Sequence, residues 1–534
     1  MHGLMQDWPL TVDRILDHAR DWHGGRQVVT RSLEGPIVRQ TYDETASRAR
    51  RLSNALLAHG IGPGDRVATL GFNTARHMEA WYGTMGIGAV CHTLNPRLHP
   101  DQLAYIIGHA GDRLILADPV AAPLLAAVLP RTQVEQVVWM ADAAPDAPGI
   151  AFEDFIAGQS DACAWGGFDE RTAAGLCYTS GTTGEPKGVL YSHRSNVLHT
   201  LMVLQADVMD LSARDVVLAV VPMFHANGWG LPFSCPAVGA KLVLPGVKMD
   251  PASLCELING EGVTFSAAVP TIWGALLQHL DATGTKLPTL KRVVIGGALC
   301  PPALIDGFRD RHGIEVRHGW GMTETSPLGV VNTPDADGGA PAQRYKQGRP
   351  PFGIELRVTD EDDRPLPHDG RTPGKLKARG AAVSEAYYGL EEPILDADGF
   401  FDTGDIAAID PAGFVQITDR AKDLIKSGGE WISSVEIEGL VAAHPKVELA
   451  AVIGLPHPRW DERPLLAVKL RPGEAASPED MLAVLEGRIA RWWTPDEVVF
   501  VDDIPLGPTG KVDKKLVRAR FEGHKLSSIT ETTR

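Results

Sequence analysis

The sequence of 534 residues has no excess of positive charge, few cysteines and no long apolar segment. Its 51 Lys and Arg residues are outnumbered by 67 Asp and Glu residues, which gives a formal net charge of -16. Nonspecific nucleic-acid binding depends on basic charge that displaces counterions from phosphates. We therefore expect no nucleic-acid partner, although a local basic pocket for a small anion is compatible with this charge.

The cysteines are scattered, and none belongs to a Cys-x-x-Cys pair. They are Cys91, Cys163, Cys177, Cys235, Cys255 and Cys300. Several lie within apolar runs, as small buried hydrophobic residues do. This pattern predicts reduced thiols in a cytoplasmic protein, and it argues against a disulfide framework or a zinc site.

No segment has the character of a membrane-spanning helix. The apolar stretch 119–130 is too short to cross a bilayer, and prolines interrupt it. The first residues lack a basic region followed by an apolar run, so we expect no signal peptide. The sequence also has no low-complexity tract and no internal repeat.

What the sequence does contain, over its first four-fifths, is an alternation of helical and strand patterns. Residues 41–44, Thr-Tyr-Asp-Glu, form a capping box ahead of small and apolar residues at helical spacing, which predicts a helix. Strands are predicted at 67–70, 216–221, 241–244 and 290–295. A chain of this length needs two or more domains. The alternation predicts layered α/β sheets with mostly parallel strands.

Two later segments have different patterns. Short alternating strands between 353 and 416 predict a small antiparallel β subdomain, which we bound at about 345–420. The segment after Arg420 predicts a compact α+β arrangement, including a helix capped by Ser477 with Pro478 at its first position. We expect a large N-terminal domain of residues 1–421 and a small mobile C-terminal domain of residues 422–534.

The most distinctive local feature is the stretch 178–188, which reads Tyr-Thr-Ser-Gly-Thr-Thr-Gly-Glu-Pro-Lys-Gly. Its glycines let backbone N–H groups converge on an anion, while its hydroxyls and lysine add donors and positive charge. These residues are Thr179, Ser180, Gly181, Thr182, Thr183, Gly184, Lys187 and Gly188. A Walker A loop differs, since its lysine directly follows a glycine and precedes Ser or Thr. The composition predicts a polyphosphate site, with a polar surface turn as the alternative.

Four further motifs accompany this loop. They are Gly-Trp-Gly-Met-Thr-Glu at 319–324, Thr-Gly-Asp at 403–405, Asp-Arg-Ala-Lys-Asp at 419–423 and Pro-Thr-Gly-Lys at 508–511. In this order the motifs resemble those of the adenylate-forming superfamily, which includes acyl-CoA synthetases, luciferases and adenylation domains, and the resemblance covers nearly the whole chain. Residues 221–229 and 426–432 are similar to the branch of medium-chain fatty acyl-CoA and 3-methylmercaptopropionate-CoA ligases.

This resemblance implies a two-step reaction. A carboxylate attacks the α-phosphate of ATP to give an acyl-adenylate and pyrophosphate, and the thiol of coenzyme A then displaces AMP. The implied catalytic residues are Lys187 on the β- and γ-phosphates, Thr323 on the α-phosphate, Glu324 on Mg²⁺, and Lys511 between the carboxylate and the α-phosphate. Thr183 is the second implied Mg²⁺ ligand. The implied ATP-binding residues are Thr179, Ser180, Gly181, Thr182, Thr183, Gly184, Lys187, His318, Gly319, Trp320, Gly321, Met322, Thr323, Glu324, Asp405, Ile417, Arg420 and Lys511.

For the nucleoside, the resemblance implies that Asp405 accepts hydrogen bonds from the ribose beside Arg420, and that Trp320 stacks on adenine. Each residue also has a purely structural alternative. Trp320 fits an ordinary core position, Asp405 a turn after a glycine, Glu324 a solvated acid at a helix start, and Lys511 one of several exposed lysines. The occurrence of all of them in one chain favours an active site.

The resemblance further implies an acyl site, a hinge and a CoA tunnel. The acyl-site residues are His225, Trp229, Gly296, Gly297 and Ala298, with Trp320 and Gly321 shared. Trp229 would shorten the tunnel and favour a short- to medium-chain or methylthio-substituted acid. Lys422 would be the hinge about which the C-terminal domain rotates between the two steps. The implied CoA-binding residues are Ser427, Gly428, Gly429, Glu430 and Trp431.

The leading functional hypothesis is an AMP-forming acid–CoA ligase that uses a small carboxylic acid, ATP and CoA. The alternatives are an enzyme that loads an acyl carrier protein, an aryl-acid CoA ligase, a luciferase-like oxygenase and a catalytically inactive nucleotide-binding protein. A kinase or ATPase would release ADP instead of AMP. We also expect a homodimer, the commonest oligomeric state.

Overall fold

The computed structural model describes residues 1, 3–179, 185–333, 340–390, 392–427, 430–507 and 511–526. The strands are β1 (Gln27–Arg31), β2 (Ile37–Thr41), β3 (Arg66–Leu70), β4 (Val90–Thr93), β5 (Leu114–Ala117), β6 (Gln136–Trp139), β7 (Ile150–Ala151), β8 (Ala173–Thr179), β9 (Lys187–Ser192), β10 (Val216–Ala219), β11 (Lys241–Leu244), β12 (Phe265–Ala268), β13 (Arg292–Ile295), β14 (Glu315–Trp320), β15 (Val330–Val331), β16 (Ile354–Thr359), β17 (Gly374–Gly380), β18 (Phe401–Ile409), β19 (Val415–Arg420), β20 (Ile425–Ser427), β21 (Glu430–Ile432), β22 (Val447–His457), β23 (Asp461–Leu470) and β24 (Glu497–Phe500). The α-helices are α1 (Asp13–His23), α2 (Tyr42–Ala58), α3 (Ala75–Gly86), α4 (Pro100–Ala110), α5 (Ala122–Val128), α6 (Phe152–Ile156), α7 (His193–Val203), α8 (Leu231–Val238), α9 (Pro251–Glu261), α10 (Pro270–Thr283), α11 (Pro302–Asp306), α12 (Ser434–Ala442), α13 (Pro478–Ala483) and α14 (Lys514–Arg520).

Two large, mostly parallel sheets form the first part of the fold. One has eight strands in the order β15-β14-β13-β12-β10-β11-β1-β2, and the other has seven in the order β7-β6-β5-β3-β4-β8-β9. Within the described strands of these two sheets, only the outer pairs β1–β2, β14–β15 and β8–β9 are antiparallel. The predicted strand 241–244 coincides with β11, whereas those at 216–221 and 290–295 extend beyond β10 and β13. This architecture confirms the predicted fold class.

Helix α3 lies between the two large sheets. Every residue of this helix except Arg76 is buried, and the helix packs against β1 on one side and β3 and β4 on the other. Thr74 caps its N-terminus by accepting a hydrogen bond from the His77 N–H. The preceding helix, α2, begins with the predicted capping box of Thr41 and Glu44. Because α2 packs along α3, these two helices hold the layers together.

Two smaller sheets follow. Strands β16-β17-β18-β19 form an antiparallel sheet, as predicted for the β subdomain. The last sheet has the order β21-β20-β23-β22, with β24 added in parallel to β23. Lys422 lies in the connection between β19 and β20, and therefore between these two sheets. The domain boundary at that residue stays a prediction.

The cysteines have the reduced state that the sequence predicted. All six cysteines are free thiols, and five of them are buried. Across the described ranges, no helix is both long enough and apolar enough to cross a membrane.

Candidate active site

The stretch predicted to bind phosphate connects two paired strands. Strands β8 and β9 form an antiparallel hairpin in which Thr179 lies opposite Lys187. Ser180, Gly181, Thr182, Thr183 and Gly184 lie outside the described residues, so their phosphate contacts stay predictions. Lys187 is exposed at the mouth of this hairpin, where its ammonium can reach a ligand.

The Lys187 side chain lies over an aromatic ring. Its Nζ is 4.8 Å from the ring centroid of Tyr387, and the Tyr387 hydroxyl donates a 2.8 Å hydrogen bond to Glu324 Oε1. Sequence reasoning did not identify Tyr387. The only signal was a tandem pair of tyrosines after β17, in a stretch otherwise rich in small residues.

Thr323 and Glu324 belong to a tight turn that follows β14. Both residues are buried, and the Thr323 carbonyl accepts a 2.8 Å hydrogen bond from the hydroxyl of Tyr191 on β9. The β8–β9 hairpin and the turn that carries Glu324, the predicted metal ligand, are therefore joined by a direct hydrogen bond. Among the remaining predicted ATP-binding residues, His318 and Gly319 lie at the end of β14, and Gly321 and Met322 begin the turn.

His318 is buried, and its Nε2 accepts a 3.3 Å hydrogen bond from the Cys300 N–H. Burial lowers the pKa of His318 to about 4. The ring is therefore neutral at physiological pH. This contact ties β14 to the segment after β13, which also carries the predicted acyl-site glycines.

Asp405 joins three strands at the predicted nucleoside site. Its Oδ2 accepts a 2.8 Å hydrogen bond from Trp320 Nε1, and its Oδ1 lies 2.8 Å from Arg420 Nε. Asp405 on β18 lies directly opposite Arg420 on β19, and only 3% of its surface is exposed. Each carboxylate oxygen has two lone pairs, so both can still accept a ligand hydroxyl.

Trp320 and Ile417 form the apolar part of the same pocket. Both side chains are half-buried and pack against the core beneath the β16–β19 sheet. Gly329 leaves room for the indole, since a Cβ at that position would lie 2.3 Å from its ring carbons. This arrangement suits a planar ring stacked on Trp320, although a structural role for the indole would give the same packing.

Lys511, from the far end of the chain, reaches this pocket. A Cβ placed on Gly297 would lie 3.5 Å from Lys511 Cε. Burial, assisted by the nearby charge of Arg420 and opposed by Asp405, lowers the pKa of Lys511 to about 8. Residues 508–510 of its motif lie outside the described residues. The Lys511 side chain is half-buried. With a pKa of about 8, its ammonium is still mostly charged at neutral pH.

The predicted acyl site is built around Trp229. A Cβ on Gly296 would lie 3.1 Å from Trp229 Cη2, which is tighter than an ordinary contact, whereas one on Gly297 would lie 3.6 Å from Cζ2, at van der Waals distance. The indole therefore packs directly against both glycines. Trp229 belongs to the turn Ala226–Gly230, in which every residue has a positive φ between 42° and 75°. Such a run is costly for non-glycine residues, and strained backbone of this kind clusters at ligand sites.

His225 and Ala298 complete the predicted acyl site. His225 is half-buried, and burial together with the charge of Lys511 lowers its pKa to about 4. Its imidazole is therefore neutral at physiological pH. Ala298, which follows Gly297, is exposed.

The predicted CoA-binding residues belong to the hairpin β20–β21. Lys426 Nζ lies 4.8 Å from the ring of Trp431, which is 40% exposed. Ser427 is buried and accepts a 3.2 Å hydrogen bond from Arg463 Nη1. Gly428 and Gly429 lie outside the described residues, as does the side chain of Glu430. Lys422, the predicted hinge, is exposed.

The described residues contain no cluster of three or more His, Cys, Asp or Glu side chains that could form a protein-only metal site. Mg²⁺ usually binds through one or two carboxylates together with substrate phosphates and waters. Glu324 fits that requirement, because it presents one buried carboxylate whose orientation is set by Tyr387. Thr183, the second predicted ligand, lies outside the described residues.

Comparisons with known proteins cover nearly the whole chain. Residues 16–388 match the model of AMP-binding enzymes, and residues 436–511 match that of the AMP-binding enzyme C-terminal domain. The 3-methylmercaptopropionyl-CoA ligase of Ruegeria lacuscaerulensis is 49% identical over 98% of this chain and 99% of its own. The medium-chain-fatty-acid–CoA ligase of Ectopseudomonas oleovorans is 45% identical over 98% of each chain. The crystal structure of ATP-bound MatB from Rhodopseudomonas palustris is 28% identical, with a TM-score of 0.82 over 96% of this chain and 99% of that one.

Proposed function

The chain belongs to the AMP-binding enzyme family, and we propose that it is an ATP-dependent carboxylic acid–CoA ligase that works through an acyl-adenylate. The observation that carries this proposal is the approach of Lys511 to Gly297 beside Asp405 and Arg420. A lysine from the C-terminal region would thereby complete a site that residues of the N-terminal region begin. The chain aligns over 98% of its length with two ligases that are 49% and 45% identical to it, and this similarity supports the same activity.

In the first step, the enzyme stabilises charge and needs no general base. A carboxylic acid has a pKa of about 4 and is already ionised at neutral pH. The Lys511 ammonium, half-buried and poorly screened, would attract both the carboxylate and the α-phosphate oxygens as they approach. His225, whose lowered pKa makes it a weak base, would be a wall of the acyl site.

The N-terminal residues would hold the nucleotide during this step. Lys187 would bind the outer phosphates, while Asp405, fixed by Arg420 and Trp320, would accept hydrogen bonds from the ribose. Glu324 would hold Mg²⁺, which neutralises phosphate charge when bound. Positioning and charge neutralisation are the main requirements of phosphoryl chemistry, and the described side chains can supply both.

In the second step, the CoA thiol displaces AMP from the acyl-adenylate. We propose that the C-terminal region rotates about Lys422, which removes Lys511 and brings the β20–β21 hairpin to the pocket. The exposed Trp431 on that hairpin, with Lys426 beside it, would then flank the pantetheine chain.

We propose that the acid is a short- to medium-chain or methylthio-substituted fatty acid. The indole of Trp229 against Gly296 and Gly297 limits the depth available to the acyl chain. A thioether sulfur would also make a favourable contact with an aromatic ring. Similarity to ligases named for 3-methylmercaptopropionate and for medium-chain fatty acids supports both acids equally.

We further propose a cytoplasmic homodimer. Six free thiols fit a reducing compartment. Light scattering of the purified protein tests the dimer directly.

The proposed function is tested with a panel of fatty, methylthio- and aromatic acids, each with ATP, Mg²⁺ and CoA. We expect AMP, pyrophosphate and acyl-CoA in equal amounts with at least one short, medium or methylthio acid. Glu324→Gln should abolish turnover, whereas Glu385→Gln, at an exposed position in the same region, should not. ADP as product would contradict the proposal, and acyl-adenylate formed without acyl-CoA would favour a carrier-loading enzyme.

A further inference from the structure

Tyr387 contacts two residues of opposite charge that the proposed reaction needs. Its hydroxyl donates to Glu324 Oε1 at 2.8 Å, and its ring centroid lies 4.8 Å from Lys187 Nζ. In the described part of the chain, no ion pair joins Lys187 directly to Glu324. The tyrosine thus engages both residues through different parts of one side chain.

Backbone hydrogen bonds join the segment around Tyr387 to the β8–β9 hairpin and to the turn that carries Glu324. The Tyr388 N–H donates a 2.8 Å hydrogen bond to the Gly188 carbonyl on β9, and the Ser384 N–H donates a 2.8 Å bond to the Glu324 carbonyl. Gly188 favours this approach, because a Cβ there would make a tight contact of 3.1 Å with Tyr388 Cβ. The segment that carries Tyr387 is therefore held in a fixed position between the β8–β9 hairpin and the turn that carries Glu324.

The side chain is also packed in place. The Tyr387 ring lies against the cluster of Cys177, Val189 and Tyr191 on the β8–β9 hairpin. Because a carboxylate can only accept hydrogen bonds, the Tyr387 hydroxyl is the donor in its contact with Glu324.

This arrangement solves a specific electrostatic problem. An ammonium and a carboxylate in one small pocket attract each other, and a direct ion pair would occupy both before a ligand arrives. The ring face attracts the ammonium more weakly than a carboxylate does, so a triphosphate can take Lys187 away from it. The hydroxyl occupies one oxygen of Glu324 and sets the orientation of the other.

We propose that Tyr387 is a positioning residue of the nucleotide site, whose hydroxyl orients Glu324 for Mg²⁺ and whose ring keeps Lys187 apart from that carboxylate. This inference rests on the proposed function, because it takes Mg·ATP as the ligand. Tyr387 acts through Glu324 and Lys187 and contacts no reacting atom.

The test is calorimetric binding of ATP without acid or CoA, once with Mg²⁺ and once with EDTA. Tyr387→Phe removes only the hydroxyl and should weaken Mg·ATP binding about tenfold, as expected for loss of a hydrogen bond to a charged group. Binding of metal-free ATP should not change, because the ring still holds Lys187. Tyr388→Phe is the matched control, since among the described residues its hydroxyl makes only a 3.4 Å hydrogen bond, to the Ala110 carbonyl.

A second variant, Tyr387→Leu, removes the ring as well. Lys187 is then free to pair with Glu324, so affinity for metal-free ATP should also fall. An Mg·ATP affinity of Tyr387→Phe equal to that of Tyr388→Phe would overturn the role of the hydroxyl. Equal metal-free affinities for Tyr387→Leu and Tyr387→Phe would overturn the role of the ring.

Two controls separate this inference from other failures. Thermal unfolding should give Tyr387→Phe and Tyr388→Phe the same midpoint, and if Tyr387→Leu does not fold, the Phe variant alone decides the role of the hydroxyl. If the wild-type protein binds Mg·ATP but releases no AMP with any acid, the proposed function fails. The ATP affinities then still decide the role of Tyr387.

Discussion

Replacing Trp229 with alanine tests whether this indole limits the length of the acyl chain. The ring fills the space left by two glycines, with Cη2 3.1 Å from the Cβ position at Gly296 and Cζ2 3.6 Å from that at Gly297. Its backbone has a φ of 51°, which is strained for any residue with a Cβ. Alanine keeps that backbone cost and removes only the ring, so the effect can be assigned to the lost volume.

The expected change in kcat/KM depends on the number of acyl-chain methylenes that enter the vacated space. Burying one methylene contributes about 0.8 kcal/mol, and three would contribute about 2.4 kcal/mol, or about a 60-fold rise in kcat/KM. Acids that contact the ring in the wild type but are too short to enter the vacated space gain nothing and lose that contact. The variant should therefore favour longer acids and disfavour the shortest ones.

The assay is AMP release for linear acids of increasing length, with the same series repeated on Trp22→Ala. Trp22 is 76% exposed, so its removal should leave the profile unchanged. The optimum of Trp229→Ala should move to longer chains. An identical profile for Trp229→Ala and wild type would refute the argument that this ring closes the acyl site.

Three further predictions concern the nucleotide and the C-terminal lysine. Lys511→Ala should lose adenylation yet form acyl-CoA from supplied acyl-adenylate, whereas Lys515→Ala should retain both steps; normal adenylate formation by Lys511→Ala would contradict the assignment. The pKa of Lys511 is lowered to about 8, so kcat/KM for ATP should fall as pH rises through that value, where the ammonium loses its proton. A profile that stays flat there would show that its charge is not needed. Asp405→Ala should bind ATP and 2′-deoxyATP equally, while the wild-type protein should prefer ATP; a preference retained by the variant would place the ribose elsewhere.

Local patterns were sufficient to predict several elements of this fold. The capping box of Thr41 and Glu44 predicted the start of α2, and β11 has the bounds that its apolar run indicated. The start of α2 and the bounds of β11 depend only on residues close together in the chain, so a single sequence is enough to predict them. The motif order was likewise sufficient to predict the family.

Contacts between distant residues could not be predicted in the same way. Tyr387 meets Lys187 only because its segment docks on β9 through the Gly188 carbonyl, and no sequence spacing encodes that docking. The left-handed turn that aims Trp229 at Gly296 contains an alanine and a tryptophan with positive φ, and neither residue type predicts that conformation. Such features depend on the packing of the whole domain.

The roles of the predicted site residues stay predictions until the nucleotide is seen in place. The described contacts bring Lys187 and Glu324 into one cluster with Tyr387, and they bring Asp405, Arg420 and Trp320 into another. Lys511 lies beside the second cluster and next to Gly297. This geometry is compatible with the proposed first step.

The most direct test of the central claim is acid-dependent exchange of labelled pyrophosphate into ATP in the absence of CoA. An enzyme that forms an acyl-adenylate reversibly must show this exchange with its own acid and lose it when Lys511 is replaced by alanine. Addition of CoA should then convert the acid to acyl-CoA with one AMP for each thioester. Exchange that requires CoA, or nucleotide released as ADP, would contradict the account.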